Sequence, residues 1–86
     1  MSRDNKIILR ILQGNSDTNF YFSEICRILK KLGFYERVKG SHYIFTKDDI
    51  AEIVNIQSKD GMAKAYQVRQ IRKLITKYNL ANLEND

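Results

Sequence analysis

The chain has 86 residues, of which 43 % are apolar, and this suits one small globular domain with a single core. No apolar run approaches the roughly 18–20 residues that a membrane span needs. One cysteine, Cys26, excludes an internal disulfide and leaves too few ligands for a Cys/His metal cluster. Fifteen Lys and Arg against ten Asp and Glu give a net charge of +5, which favours an anionic partner, either nucleic acid or an acidic protein face. We expect a cytoplasmic protein without a metal, a cofactor or a membrane segment.

The first part of the chain predicts two helices. Residues 6–12 place their apolar side chains on one stripe, and Gly14 ends this helix because glycine readily adopts the left-handed conformation. Residues 22–32 follow the same i, i+3, i+4 pattern, and Gly33 ends the second helix. The predicted N-caps are Ser2 or Asp4 for the first helix and Ser23 for the second.

Three strand candidates follow, at residues 34–39, 41–46 and 52–57, all rich in aromatic or β-branched residues. Gly40 separates the first two with almost no loop, which predicts a tight hairpin or a bulge. Residues 47–49 predict the next turn. Alternation along the second strand places Ser41, Tyr43 and Phe45 on one face and His42, Ile44 and Thr46 on the other. The sequence leaves open which face is the core.

The longest predicted helix covers residues 65–78. Its basic residues lie off the apolar stripe with no acidic residue among them: Lys64, Arg69, Arg72, Lys73 and Lys77. A solvated helix face and a nucleic-acid-binding face both fit this pattern. Residues 79–86 predict a frayed tail. We predict one α+β two-layer domain over residues 1–86, in the order α-α-β-β-β-α, with a three-stranded antiparallel sheet.

The stretch Lys39-Gly40-Ser41-His42 contains the only histidine. Histidine is the side-chain type whose unperturbed pKa lies near neutrality, so His42 is the natural candidate to transfer a proton. A lone histidine is nevertheless more often an ordinary surface or partly buried residue than a catalyst. The sequence leaves open whether an acidic side chain sets its tautomer; the candidates are Glu36, Asp48 and Asp49.

Four segments, in this order and spacing, resemble the HicA toxin family of type II toxin–antitoxin systems. They are Leu32-Gly33-Phe34, Lys39-Gly40-Ser41-His42-Tyr43-Ile44-Phe45, Ile53-Val54-Asn55-Ile56-Gln57 and Ala63-Lys64-Ala65-Tyr66-Gln67-Val68-Arg69-Gln70-Ile71-Arg72. The similarity covers roughly residues 6–78 and is to the longer variant with an extra N-terminal helix. The chain departs from the family pattern at Tyr43, where a second histidine is common, and at Ala65, where a proline is common. Neither departure removes the Gly-Ser-His motif.

The resemblance implies a fold like the double-stranded-RNA-binding domain and a metal-independent endoribonuclease that acts on mRNA. It implies a cognate HicB-type antitoxin that covers the active site, and we expect the free toxin to be monomeric. The family's catalytic histidine corresponds to His42, which would act as the general base when the ribose 2′-OH attacks the adjacent phosphate.

Residues around His42 and on the last helix are candidates to bind RNA. We expect these residues to let a phosphate approach closely, to form hydrogen bonds and charge interactions with the RNA, or to stack on its bases. The candidates are Lys39, Gly40, Ser41, Lys64, Tyr66, Gln67, Arg69 and Arg72. Two other functions fit the same residues. One is a non-catalytic RNA-binding module, and the other is an interaction protein whose basic face binds an acidic partner.

Overall fold

A computed structural model describes residues 2–81. Over these residues the elements are α1 (Arg3–Gln13), α2 (Phe22–Lys31), β1 (Tyr35–Lys39), β2 (His42–Lys47), β3 (Ile50–Ile56) and α3 (Ala65–Tyr78). The strands form one antiparallel sheet in the order β1-β2-β3. The predicted α+β class and the order α-α-β-β-β-α are confirmed. The predicted bounds of α3 are confirmed as well.

The start of α1 and the N-cap of α2 differ from the prediction in ways that local hydrogen bonds explain. Helix α1 begins three residues earlier than predicted because the hydroxyl of Ser2 accepts a bond from the backbone N–H of Asn5 at 3.1 Å. Helix α2 begins before Ser23, so the prediction of Ser23 as its N-cap was wrong. Tyr21 is the N-cap, and its backbone N–H donates to the Glu24 carboxylate at 3.3 Å.

Both turns of the sheet contain two residues. Lys39 pairs with His42 across the Gly40–Ser41 turn, and the φ of +61° at Gly40 is a conformation that glycine adopts without strain. The structure therefore has a tight hairpin at Gly40 and not a bulge. An irregularity in the ladder occurs instead in β2 between Phe45 and Lys47, next to the second turn.

The three helices cover only one face of the sheet. Phe45 and Val54 point into the core and are fully buried, and Tyr43 packs edge-to-face on Phe22 of α2 with ring centroids 5.0 Å apart. The face of β2 that carries Tyr43 and Phe45 is therefore the core face, which the sequence left open. His42 lies on the opposite face, which no helix covers and which we call the open face.

The chain after α3 is anchored where it begins. Asn79 is left-handed with φ +50°, its N–H donates to Thr76, and the N–H of Leu80 donates to Ile75 at 3.0 Å. This arrangement is a Schellman motif, and Leu80 and Ala81 pack against the core. The predicted frayed tail is therefore wrong for these two residues, while residues 82–86 lie outside the described residues. Over residues 2–81, no helix has the length and apolar character to cross a bilayer.

Candidate functional site

His42 is placed by the first hairpin. It is the first residue of β2, directly after the Gly40–Ser41 turn, and its side chain is exposed on the open face. Its partner in the ladder is Lys39. Residues directly opposite each other in an antiparallel pair share a face, with Cβ atoms about 4.5–5.5 Å apart. The hairpin therefore places an ammonium group and an imidazole side by side.

The ring of His42 is oriented by Asn55 on the neighbouring strand. Nδ1 of His42 lies 3.0 Å from Oδ1 of Asn55. An amide oxygen only accepts hydrogen bonds, so Nδ1 carries the proton and Nε2 of the neutral ring keeps its lone pair. Over residues 2–81, Nε2 itself receives no hydrogen bond, which leaves it available as a base.

Sequence reasoning did not assign Asn55 this position. Two of the three acidic residues that it considered are paired elsewhere: Glu36 lies 3.8 Å from Lys30, and Asp49 lies 3.1 Å from Lys47. The third, Asp48, is exposed in the second turn. The signal was present in the sheet pattern, because Asn55 pairs with Ile44 and so occupies the open face beside His42.

A hydrogen-bonded chain joins the hairpin turn to the start of α3. The amide of Gln57 donates to the hydroxyl of Ser41 at 2.7 Å, and the amide of Gln67 donates to the Gln57 carbonyl at 3.1 Å. Oε1 of Gln67 accepts from the backbone N–H of Lys64 at 3.1 Å. Ser41 lies in the turn, before β2 begins, so the strand alternation that was expected to separate it from His42 does not apply.

Gln67 is fully buried, in contrast to its predicted role in binding RNA. Both ends of its amide are bonded to the backbone of the protein, so the side chain positions α3 against β3 and does not reach solvent. The other two predicted RNA-binding residues at the start of α3, Lys64 and Tyr66, remain accessible. Lys64 is half-buried at the N-cap of α3, and Tyr66 is 53 % exposed.

Arg72 is also occupied within the protein. Its guanidinium donates to both carboxylate oxygens of Asp17, at 2.8 and 3.1 Å, and to the carbonyl of Ile11 at 3.0 Å. Hydrogen bonding to Arg72 lowers the pKa of Asp17, and the same bond raises the pKa of Arg72. Arg72 therefore joins α3 to α1. Arg69 lies 3.7 Å from the same carboxylate but keeps half of its side chain exposed.

The absence of acidic residues along α3 did not predict these partners, because they come from distant parts of the chain. Asp17 is 55 positions from Arg72, and Glu52 in β3 binds Lys77 at 2.8 Å from 25 positions away. Ion pairs between distant segments cannot be predicted from the residue pattern of a single helix. Three of the five residues on the predicted basic face, Arg69, Arg72 and Lys77, are therefore paired with carboxylates of the fold.

The open face differs from the helical side in its charge. Within residues 2–81, no acidic side chain forms an ion pair with Arg37, Lys39 or His42, and the first two lie on β1 beside the histidine. The same residues contain no group of three or more His, Cys, Asp or Glu placed to hold a metal ion. Positive charge around His42 is thus uncompensated, which suits a phosphate ligand.

The fold and the site define a class: small α+β domains whose helices cover one sheet face and whose other face presents a single histidine in a basic setting. Residues 22–76 match the family model described as HicA toxin of bacterial toxin–antitoxin. The chain belongs to the HicA toxin family, which confirms the resemblance and places it among the toxins of toxin–antitoxin systems. The match runs from the start of α2 to near the end of α3 and contains every candidate site residue. No curated protein and no solved structure gives a significant match to the chain.

Proposed function

We propose that this protein is a metal-independent endoribonuclease that cleaves mRNA, with His42 as the general base. The observation that supports the proposal is the hydrogen bond from Nδ1 of His42 to Asn55, which leaves the lone pair of Nε2 free on an exposed face beside Lys39. The family assignment supports the same activity. General acid–base catalysis by a positioned histidine typically contributes about 10²–10⁴-fold.

The reaction begins when Nε2 of His42 takes the proton of a ribose 2′-OH. The 2′ oxygen then forms a bond to the adjacent phosphorus, and the bond from phosphorus to the 5′ oxygen breaks. Solvent protonates the departing 5′ oxygen, so the products are a 2′,3′-cyclic phosphate and a 5′-hydroxyl. Lys39, opposite His42, stabilises the charge that develops on the phosphate.

The turn supplies the remaining contacts to the phosphate. Gly40 has no side chain to block a close approach, and the space next to it is open. The Ser41 hydroxyl accepts its hydrogen bond from Gln57, so its own proton is left to donate to a phosphate oxygen. Lys64, Tyr66 and Arg69 are the further RNA contacts that we propose. Gln67 and Arg72 are left out because their polar groups are bonded inside the protein.

His42→Gln tests the proposal. The wild-type protein and this variant are purified identically and incubated with a long single-stranded RNA in EDTA, and RNA affinity is measured in parallel. We expect the variant to lose cleavage by about 10²-fold or more and to keep its affinity. Lys6→Gln, which removes an exposed charge from α1, is the matched control and keeps full activity. Equal cleavage by wild type and His42→Gln would exclude His42 as the catalyst.

A non-catalytic RNA-binding module is the second candidate, since the uncompensated charge of the open face suits binding alone. It predicts that neither protein cleaves RNA and that both bind it with strong salt dependence. Tight binding to an acidic protein without salt-sensitive RNA affinity would indicate the third candidate, an interaction protein.

We also propose that a cognate HicB-type antitoxin inhibits the free, monomeric, cytoplasmic toxin by covering the site around His42. Covering a basic site with an acidic surface neutralises its charge as well as blocking access. The saturated complex should therefore lose RNA binding. An inhibited complex that binds RNA as well as the free toxin would contradict this mode of inhibition.

A further inference from the structure

The open face extends beyond His42 as a continuous row of side chains on β1. The register pairs Lys39 with His42, Arg37 with Ile44, and Tyr35 with Thr46, so all of these side chains share one face. We call Tyr35, Arg37 and Lys39 the β1 row. With about 3.3 Å per residue, Tyr35 lies ~13 Å along the strand from the Lys39–His42 pair.

The far end of the β1 row is concave. Tyr35, Glu36, Arg37, Ile44 and Thr46 line a cavity of about 270 Å³, and the Glu36 carboxylate is paired with Lys30 of α2 at 3.8 Å. Tyr35 is 63 % exposed, and Ile53 of β3 is 58 % exposed on the same face. An exposed aromatic ring on a sheet, beside a small cavity, is suited to stack on a flat ligand.

The charge of the β1 row selects an anionic ligand. Within residues 2–81, Arg37 and Lys39 have no acidic partner, whereas basic residues on the helical side, such as Arg27 and Arg72, are bonded to carboxylates. A positive groove with an exposed aromatic ring is the combination by which proteins bind single-stranded nucleic acid. In a duplex the bases are stacked inside the helix and cannot reach such a ring.

We propose that the β1 row is a binding subsite for single-stranded RNA next to the cleaved bond, with Tyr35 stacked on a base and Arg37 bound to a backbone phosphate. This subsite rests on the proposed ribonuclease function, because we infer that it binds RNA from its position next to His42. It makes the toxin selective for unpaired segments of its substrate. It also predicts that nucleotides beyond the one at His42 contribute to kcat/KM.

Tyr35→Ala tests the subsite. We expect it to lower kcat/KM on a long single-stranded RNA by about tenfold or more, while a dinucleotide, too short to span from His42 to Tyr35, is cleaved as by wild type. Tyr35→Phe keeps the ring and should restore cleavage of the long RNA. Tyr21→Ala is the matched control, because Tyr21 is similarly exposed, at 59 %, but lies at the start of α2 and off the open face. Equal losses on the long RNA and the dinucleotide would overturn the proposal.

A binding measurement separates this proposal from the ribonuclease activity itself. Binding is measured in the His42→Gln background, so that cleavage does not interfere. There, Tyr35→Ala and Arg37→Gln should each weaken binding of a short single-stranded RNA and leave binding of an RNA duplex unchanged. If the protein cleaves nothing but these losses occur, the subsite stands and the catalytic proposal fails. If RNA affinity is unchanged while binding of a polyglutamate peptide falls, the row is a protein-binding surface and the proposal is wrong.

Discussion

The orientation of His42 depends on a single neutral partner. Asn55 contributes no charge, and the 3.0 Å bond to its amide oxygen holds the ring with a proton on Nδ1. An amide at this position suits the general base that we propose, because it orients the ring and leaves the lone pair of Nε2 free to accept a proton.

Replacement of Asn55 tests this role. Asn55→Ala should lower the cleavage rate by about ten- to a hundredfold, because the ring is no longer held in its productive geometry. Asn55→Asp keeps the acceptor but adds a negative charge beside Nδ1–H, so the acidic limb of the pH–rate profile should move to higher pH. The measurement is kcat/KM against pH for both variants. A uniform loss at every pH in Asn55→Asp would show that Asn55 only supports the fold.

At the scale of elements, the sheet and α3 are joined next to the site by one buried amide. Gln67 bonds the end of β3 and the first turn of α3 at the same time, and Gln57 extends the connection to the hairpin turn. The buried amide thus holds Lys64 and Tyr66 at the end of the sheet that carries His42. We infer that the geometry of the site depends on this connection as well as on the hairpin.

Gln67→Leu should destabilise the protein by about 1–3 kcal/mol, because it leaves the Gln57 carbonyl and the Lys64 N–H without their partner. Urea unfolding measures the loss. Gln70→Leu is the matched control, since Gln70 is half-buried on the same helix and its side chain forms no hydrogen bond within residues 2–81. Similar losses in both variants would mean that the hydrogen bonds of Gln67 add nothing to stability.

These elements also show what sequence could and could not predict. Periodicity predicted each helix and strand, and strand alternation separated His42 from Phe45, because both patterns depend on residues close in sequence. Which face was covered, and the burial of Gln67, depend on how α3 lies on β3. The bond of Arg72 to Asp17 likewise forms between distant segments. These three features therefore arise from tertiary packing, which local patterns do not encode.

At the scale of the whole molecule, the two faces of the sheet use charge differently. On the helical side carboxylates bind cations from other elements: Asp4 with Arg27 joins α1 to α2, and Glu52 with Lys77 joins the sheet to α3. On the open face Arg37 and Lys39 are left without such partners within residues 2–81. The fold therefore leaves unpaired positive charge beside the candidate site, although the sequence distributes basic residues over the whole chain.

The stability of the layers should consequently depend on acid pH through Glu52. Hydrogen bonds from Lys77 and Tyr78 lower the pKa of Glu52 from 4.5 to about 2. A group whose pKa is lower in the folded state stabilises the protein above its unfolded pKa, and this contribution is lost as the pH falls toward the folded value. We expect the urea midpoint to fall between about pH 4.5 and about pH 2, and more steeply in wild type than in Glu52→Gln. Added salt should reduce the difference, since the pair is partly exposed.

Asp48→Asn is the control for this measurement. Asp48 is exposed in the second turn and forms no ion pair within residues 2–81, so its removal should leave the acid dependence of the midpoint as in wild type. If Glu52→Gln kept the full acid dependence, the bonds of Glu52 to α3 would not be what acid disrupts. Asp17, whose pKa is lowered by its hydrogen bond to Arg72, would then be the next candidate for the acid-sensitive group. Asp17→Asn would test whether acid disrupts the contact between α1 and α3 first.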